Sequence, residues 1–92
     1  MTKAVKIAVA WLLEEDWPKW QAIDSQLPDH SRWLAKIESA EAKAKSEGMH
    51  TERIVVTPDR FVEWCSANGK AIDRNSRAEY AAKTLMIRIT AH

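Results

Sequence analysis

The chain has 92 residues, of which 46% are hydrophobic and 29% are charged. A chain of this length is expected to form one domain that buries roughly 60–65% of the surface exposed by its unfolded state. The composition is typical of a folded, soluble domain and argues against disorder or membrane embedding. Lys and Arg number 14 and Asp and Glu number 13, so the net charge of +1 gives no general attraction for nucleic acid or an anionic membrane.

The cellular compartment is indicated by cysteine usage and by the N-terminal segment. Cys65 is the single cysteine and cannot form an internal disulfide, which favours a reducing compartment. The apolar run 7–13 follows two lysines, as in a signal peptide, but it ends in acidic residues and is too short to span a bilayer. We therefore expect a cytoplasmic protein without a membrane segment.

The first half of the chain predicts one strand and two helices. Residues 4–11 are mostly apolar and partly β-branched, which favours a strand covered on both faces, with a helix as the alternative. Asp16 before Trp17-Pro18 predicts the start of a short helix that runs to about Asp24. A longer helix follows from a cap at Asp29 or Ser31 to about Glu47, where Gly48 ends it. Its apolar stripe comprises Trp33, Ile37, Ala40 and Ala44.

The second half predicts a strand and two further helices. Residues 52–57 are the densest β-branched run and form the central strand. A helix begins at Pro58 and stops at Asn68-Gly69. Its inner face carries Phe61, Val62 and Cys65, with Trp64 beside them. The last helix has an apolar repeat, although 84–90 also fits an edge strand. The members of that repeat are Ala78, Ala81, Ala82, Leu85, Met86 and Ile89.

The element order is therefore β-α-α-β-α-α within one compact α/β domain covering residues 1–92. Two strands joined by a long helical crossover are expected to pair in parallel with a right-handed connection. The fold predicted is a two-stranded parallel sheet with about four helices. One shared core is expected to contain Trp33, Ile37, Ile54, Val56, Phe61, Cys65, Ala82 and Leu85.

No residue pattern predicts a catalytic, cofactor-binding or metal site. Cys65 falls on the inner face of its helix, where a cysteine behaves as a small hydrophobe. His30, His50 and His92 lack the spacing of a metal pair. Residues 14–16 are acidic, as the dipole at a helix N-terminus favours, and the two glycines are too few for a phosphate-binding loop. We expect no enzymatic activity and no cofactor.

Five tryptophans in 92 residues are many for a small domain. Trp11, Trp33 and Trp64 occupy positions that suit a core. Trp17 and Trp20 lie three residues apart on the short helix and share one edge of it. These two either pack into the core or serve as anchors for a protein partner.

Residues 53–80 resemble the ribbon-helix-helix family of DNA-binding proteins. The run 53–59 before one helix and the run 75–80 at the start of another carry the likeness. In that family, paired strands from two chains enter the major groove and the second helix presents its N-terminus to phosphate. The resemblance implies base contacts by Arg53, Val55 and Thr57 and backbone contacts by Ser76 and Arg77.

A second resemblance spans more of the chain. The spacing of Asp16-Trp17-Pro18, Trp33-Leu34, Gly48, Pro58-Asp59 with Phe61, Trp64-Cys65, Gly69 and Arg77-Ala78 is similar to that of a family of short bacterial proteins without assigned activity. It implies one compact domain and no mechanism.

Two functions are compatible with the sequence. The first is a non-enzymatic protein-interaction or regulatory module of the bacterial cytoplasm, whose partner is another protein or a second copy of the chain. The alternative is a dimeric ribbon-helix-helix regulator that binds nucleic acid. Pairing of 52–57 with 4–11 of the same chain distinguishes them, because a strand paired in this way is not available for a DNA-reading ribbon.

Overall fold

Two strands and four helices follow one another in the predicted order. The computed structural model describes residues 6–90. The elements are β1 (Lys6–Trp11), a 3-10 turn (Glu14–Asp16), α1 (Trp17–Ile23), α2 (His30–Ser46), β2 (His50–Val55), α3 (Pro58–Asn68) and α4 (Arg74–Thr90). The helical alternative for β1 and the strand alternative for 84–90 are thereby excluded, while residues 4 and 5 of the predicted first strand lie outside the described range.

The two strands form a parallel sheet, as predicted. Lys6 is opposite His50 at one end and Trp11 is opposite Val55 at the other. The chain crosses from β1 to β2 through α1 and α2, since parallel strands require a long connection.

The sheet lies between α4 on one face and α2 on the other. Side chains alternate between the faces of a strand. On one face Ile54 packs with Ala81 and Leu85 of α4. On the opposite face the Trp11 ring lies 5.5 Å from the Trp33 ring of α2. The parallel strands are thus covered from both sides, although not along their full length.

Most helix ends have the expected caps. Asp29 Oδ1 accepts a hydrogen bond from the Arg32 amide at 2.9 Å, and Pro58 occupies the first turn of α3. Gly48 and Gly69, with φ of 80° and 64°, end α2 and α3 in the left-handed region. Asp16 was expected to cap α1 through its side chain, but it makes no such bond, because the preceding 3-10 turn runs directly into α1.

The buried residues form two clusters instead of one. Ile54, Ala81 and Leu85 form the smaller cluster beneath α4. The larger cluster is at the end of the sheet where α1 and α3 meet α2, and contains Leu12, Trp17, Trp20, Leu27, Trp33, Val56, Phe61 and Cys65, with Ile37 partly buried against it. The expectation of one shared core was wrong in this respect, and Ala82 is exposed.

The two long helices are less buried than their sequence stripes predict. Ala40 of α2 and Ala78, Ala82, Met86 and Ile89 of α4 are exposed. The cause is the size of the sheet, because two strands of six residues cover only a narrow strip of a 17-residue helix. No helix within 6–90 is long and apolar enough to cross a membrane.

Candidate functional site

The α4 helix presents an apolar surface that nothing in the described chain covers. Met86, Ile87 and Ile89 are 61%, 68% and 52% exposed. Met86 and Ile89 continue a line that begins with Ala78 and Ala82, and we call these four residues the α4 stripe. The spacing of four, four and three residues keeps the stripe on one flank of the helix, beside the buried Ala81 and Leu85.

The signal for the α4 stripe was present in the sequence. The apolar positions of α4 span a wider arc than one contact surface requires, because both Ala81 with Leu85 and Ala82 with Met86 recur four residues apart. The predicted core included Ala82 together with Leu85. The excess width is what indicates a second contact surface.

Both edges of the sheet are also open within residues 6–90. β1 pairs with β2 and with no other described strand, and the same holds for β2. Exposed edges present unpaired backbone N–H and C=O groups and can accept a further strand. Ile7 of β1 and Val55 of β2 remain 37% and 47% exposed. The sheet therefore adds unpaired backbone groups at its edges and apolar side chains on the face opposite α4.

Trp17 and Trp20 do not reach the surface. They are 6% and 0% exposed, respectively. The Trp17 indole N–H donates to the Pro28 carbonyl at 3.1 Å, and its ring contacts the His30 and Trp33 rings. Trp20 packs on Phe61 with ring centroids 5.6 Å apart. Of the two alternatives, Trp17 and Trp20 therefore pack into the core, and their assignment as anchors for a partner was wrong. They attach α1 to α2 and α3.

Arg53 lies at the surface but is already engaged. Its guanidinium makes two hydrogen bonds of 2.9 Å to the Glu41 carboxylate, and it stacks 3.9 Å from the centre of the Trp11 ring. These contacts hold the side chain on the α2 face of the sheet. The hydrogen bonds to Glu41 raise the pKa of Arg53 further, so it stays charged.

The remaining residues of the DNA-binding resemblance are not brought together. Thr57 is exposed at the start of α3, but Ser76 and Arg77 are only 7% and 6% exposed. Both lie in α4, which covers the sheet face opposite Arg53. The expected phosphate contacts of Ser76 and Arg77 were wrong, because this helix start is packed inside the domain. The strand that would form the ribbon pairs with β1 of its own chain.

A buried ion pair that we did not predict joins α1 to α4. Arg77 Nη1 donates to Asp24 Oδ2 at 2.7 Å, and the two side chains are 7% and 9% exposed. Asp24 Oδ1 also accepts the Gln26 amide at 3.1 Å. The α4 start is fixed further by Asp73, whose Oδ1 accepts the Ser76 amide at 2.8 Å. That hydrogen bond lowers the pKa of Asp73 and favours the charged cap.

Cys65 is buried, 2% exposed, on the inner face of α3. Burial raises the pKa of its thiol, and the negative charges of Asp73 and Glu79 act in the same direction. Its sulfur lies 3.8 Å from the Ala71 carbonyl oxygen. These surroundings are the opposite of those that activate a nucleophilic thiolate.

We expect native Cys65 to react slowly with a thiol reagent and to react fast once the protein is unfolded. Because the pKa of Cys65 is raised, thiolate formation in the folded protein requires a pH above the ordinary pKa of a cysteine, which is about 8.5. Absorbance after addition of a chromogenic disulfide measures the rate. As a matched control, Cys65→Ala with Ser66→Cys moves the thiol to an exposed neighbouring position and should label quickly. Fast labelling of native Cys65 near neutral pH would contradict this assignment.

The two histidines within 6–90 lie in different surroundings. The His30 ring makes an edge-to-face contact with Trp17 and a tilted contact with Trp33, and His50 is exposed at the start of β2. His92 lies outside the described residues. Within 6–90, no three His, Cys, Asp or Glu side chains come together in a way that could hold a metal ion.

A groove runs between the C-terminal half of α2 and β2. It has a volume of about 880 Å³, and Glu41, Lys45, Glu52 and Arg53 contribute its charges. Arg53 is paired with Glu41, and Glu52 with Lys6 at 2.6 Å. The charges along the groove largely neutralise each other and do not converge on one point. The α4 stripe with the open sheet edge is therefore the better candidate for a site.

Comparison with known proteins identifies a family without assigning an activity. No curated protein and no solved structure matches the chain significantly. A family profile described as "Domain of unknown function (DUF8829)" matches residues 2–90. Because this match covers nearly the whole chain, the protein belongs to this family of uncharacterised proteins.

Proposed function

We propose that this domain is a non-enzymatic module that acts through contact with another protein, made by the α4 stripe. The observation that carries the proposal is the exposure of Met86 and Ile89, 61% and 52%, on the flank of a helix whose neighbouring face is buried. Contiguous apolar surface of this kind exposes hydrocarbon to water and is typical of binding surfaces. Methionine adapts its shape to a partner, which suits a contact surface.

The state of the reactive side chains of the domain, which lie outside the stripe, supports a binding role over a chemical one. Arg53 and Arg77 are tied up in ion pairs, and the buried Cys65 has a raised pKa. The packing of α4 on the sheet through Ala81 and Leu85 holds the helix in place. A rigid helix presents side chains to a partner with little further loss of conformational entropy.

The proposal is tested by site-specific photo-crosslinking in cells that naturally produce the chain. A benzophenone amino acid replaces Met86 in one variant and Lys36, an exposed residue of α2, in a matched control. We expect a discrete covalent adduct from position 86 and none from position 36. The adduct should disappear when Ile89→Asp is added to the position 86 variant, because a charge on the stripe opposes burial.

The adduct is then excised and its components are identified by mass spectrometry. The same adduct must form from purified components for the contact to count as direct. Absence of any discrete adduct at position 86, or equal labelling at positions 86 and 36, would overturn the proposed function.

A further inference from the structure

We propose that the α4 stripe and the outer edge of β1 form one self-complementary interface, through which two copies of this chain associate about a two-fold axis. This inference rests on the proposed function and specifies its partner as a second copy. It predicts a continuous four-stranded sheet in the order β2, β1, β1, β2, with the two α4 helices side by side on one face.

The first step is the direction in which the stripe faces. Arg88 Nη1 lies 3.7 Å from Glu52 Oε2, so one flank of α4 is turned toward β2. Successive helix residues are about 100° apart, and Ala81 and Leu85 point down at the sheet. Ile89 and Met86 therefore lie on the other flank, away from β2. On that side the sheet ends at the outer edge of β1.

The second step is the state of that edge. The Val56 amide donates to the Trp11 carbonyl at 3.0 Å, so the backbone of Trp11 faces β2. Backbone direction alternates along a strand, which turns Val9 toward β2 as well and Ala8 and Ala10 toward the outer edge. No strand within 6–90 pairs with the outward-facing backbone groups of these two alanines. β1 also lacks the proline or unpaired charges that commonly protect an edge, since Lys6 is bound to Glu52.

The third step is the register of the strands. Two identical strands related by a two-fold axis must be antiparallel. If the axis passes at Val9, Ala8 lies opposite Ala10 of the second copy, and these residues exchange both hydrogen bonds. The same register places Ile7 opposite Trp11 of the second copy, on the same sheet face. Ile7 is 37% exposed in the single chain, and the Trp11 ring of the second copy would cover it.

The fourth step is the fit of the helices. α4 packs against both strands, and more extensively against β1 than against β2. With strands about 4.8 Å apart, a helix over the boundary between β1 and β2 would be about 10 Å from its symmetry copy, and a helix nearer to β1 is closer than that. Helices pack at about 8–10 Å, and the small side chains of Ala78 and Ala82 allow the closer approach. The symmetry thus brings the two stripes into direct contact.

The stripe is also complementary to itself in size. In an antiparallel pair of α4 helices, Ala82 faces Met86 of the second copy, and Ala78 faces Ile89, so that small side chains receive large ones. The midpoint of the stripe lies near residue 84. Ala81 and Leu85, on either side of that midpoint, pack over Ala8 and Ala10, which flank Val9. A single axis therefore satisfies both the strands and the helices.

Charge does not oppose this association. The stripe carries no charged residue, and the chain has a net charge of only +1, so two copies repel each other weakly. The contact is isologous and closed, which limits it to two chains and leaves no β1 edge for further addition.

Sedimentation of the purified full chain tests the proposal. Over roughly 1 to 100 μM we expect a concentration-dependent dimer, because mass action favours association. Ile89→Asp should raise the dissociation constant about tenfold or more, since it places a charge against Ala78 of the second copy, within the buried part of the interface. Ile87→Asp is the matched control, because Ile87 is 68% exposed on the outer side of the same helix and should change the constant by less than about twofold.

Amide hydrogen exchange followed by NMR tests the strand contact separately. The Ala8 and Ala10 amides should become protected as the protein concentration rises, while the Val9 amide, already bonded to β2, should exchange slowly throughout. Ala8→Pro removes an outward-facing donor and should weaken the dimer while leaving the monomer folded, because proline is tolerated at a free edge.

The outcomes separate this inference from the proposed function. A purely monomeric chain, equal effects of Ile87→Asp and Ile89→Asp, or fast exchange of Ala8 and Ala10 in the dimer would overturn the interface described above. If the cross-link at position 86 joins a different protein while the chain sediments as a monomer, the partner is not a second copy of the chain, and the proposed function stands. If no adduct forms and the chain is monomeric, both are wrong.

Discussion

Arg77→Ala is expected to lower the free energy of unfolding by about 3–5 kcal/mol, the range for removing one member of a buried ion pair. In the native protein the Asp24 carboxylate is 9% exposed and lies 2.7 Å from the Arg77 guanidinium, and the variant leaves it without that partner. The cost is mainly that of a buried charge deprived of compensation, and it exceeds the net value of the pair. Urea unfolding followed by tryptophan fluorescence measures the change.

Two controls isolate this effect. Arg74→Ala removes an exposed arginine from the same helix and should change stability by less than about 0.5 kcal/mol. The double variant Asp24→Leu with Arg77→Met removes both charges and should recover most of the loss, because a well-packed apolar pair often replaces a buried ion pair at little cost. A loss below about 1 kcal/mol for Arg77→Ala would show that water reaches the pair.

Ile54→Ala is expected to cost about 2–5 kcal/mol, since it leaves a cavity between the sheet and α4. Ile54 is 0% exposed and packs with Ala81 and Leu85 of α4. The neighbouring Val55→Ala is the matched control, because Val55 is 47% exposed on the other face of the same strand. Thermal and denaturant unfolding of the two variants should differ clearly. Equal losses would mean that the two faces of β2 are assigned incorrectly.

Local patterns in the sequence predicted the elements and their pairing. The cap at Asp29 and the glycines at 48 and 69 define the boundaries of α2 and α3, because each acts within a few residues. The β-branched run before Pro58 predicted β2, although the strand begins and ends two residues earlier than the predicted 52–57. The parallel sheet followed from the length of the crossover between the strands. The match over residues 2–90 agrees with the expected membership of a family of uncharacterised proteins.

Contacts between distant residues were not predictable in the same way. Asp24 and Arg77 are 53 positions apart, and neither has a neighbour that distinguishes it from a surface charge. The burial of Trp17 and Trp20 depends on how α1 meets α2 and α3, which a spacing of three residues does not specify. Ala82 of the α4 stripe was mistaken for core because hydrophobicity alone does not say how wide the supporting sheet is.

The crossover between β1 and β2 has a consequence for how the chain folds during synthesis. β1 leaves the ribosome first, but its only described strand partner, β2, follows two entire helices later, and α4 comes last. Closing so long a loop costs entropy before any strand contact forms, which makes the sheet a late event. Until then the apolar segment Ile7 to Trp11 is exposed to solvent and to chaperones. The N-terminal half therefore cannot become native by itself, and folding of the domain is completed only when the α4 segment is available to cover Ile54.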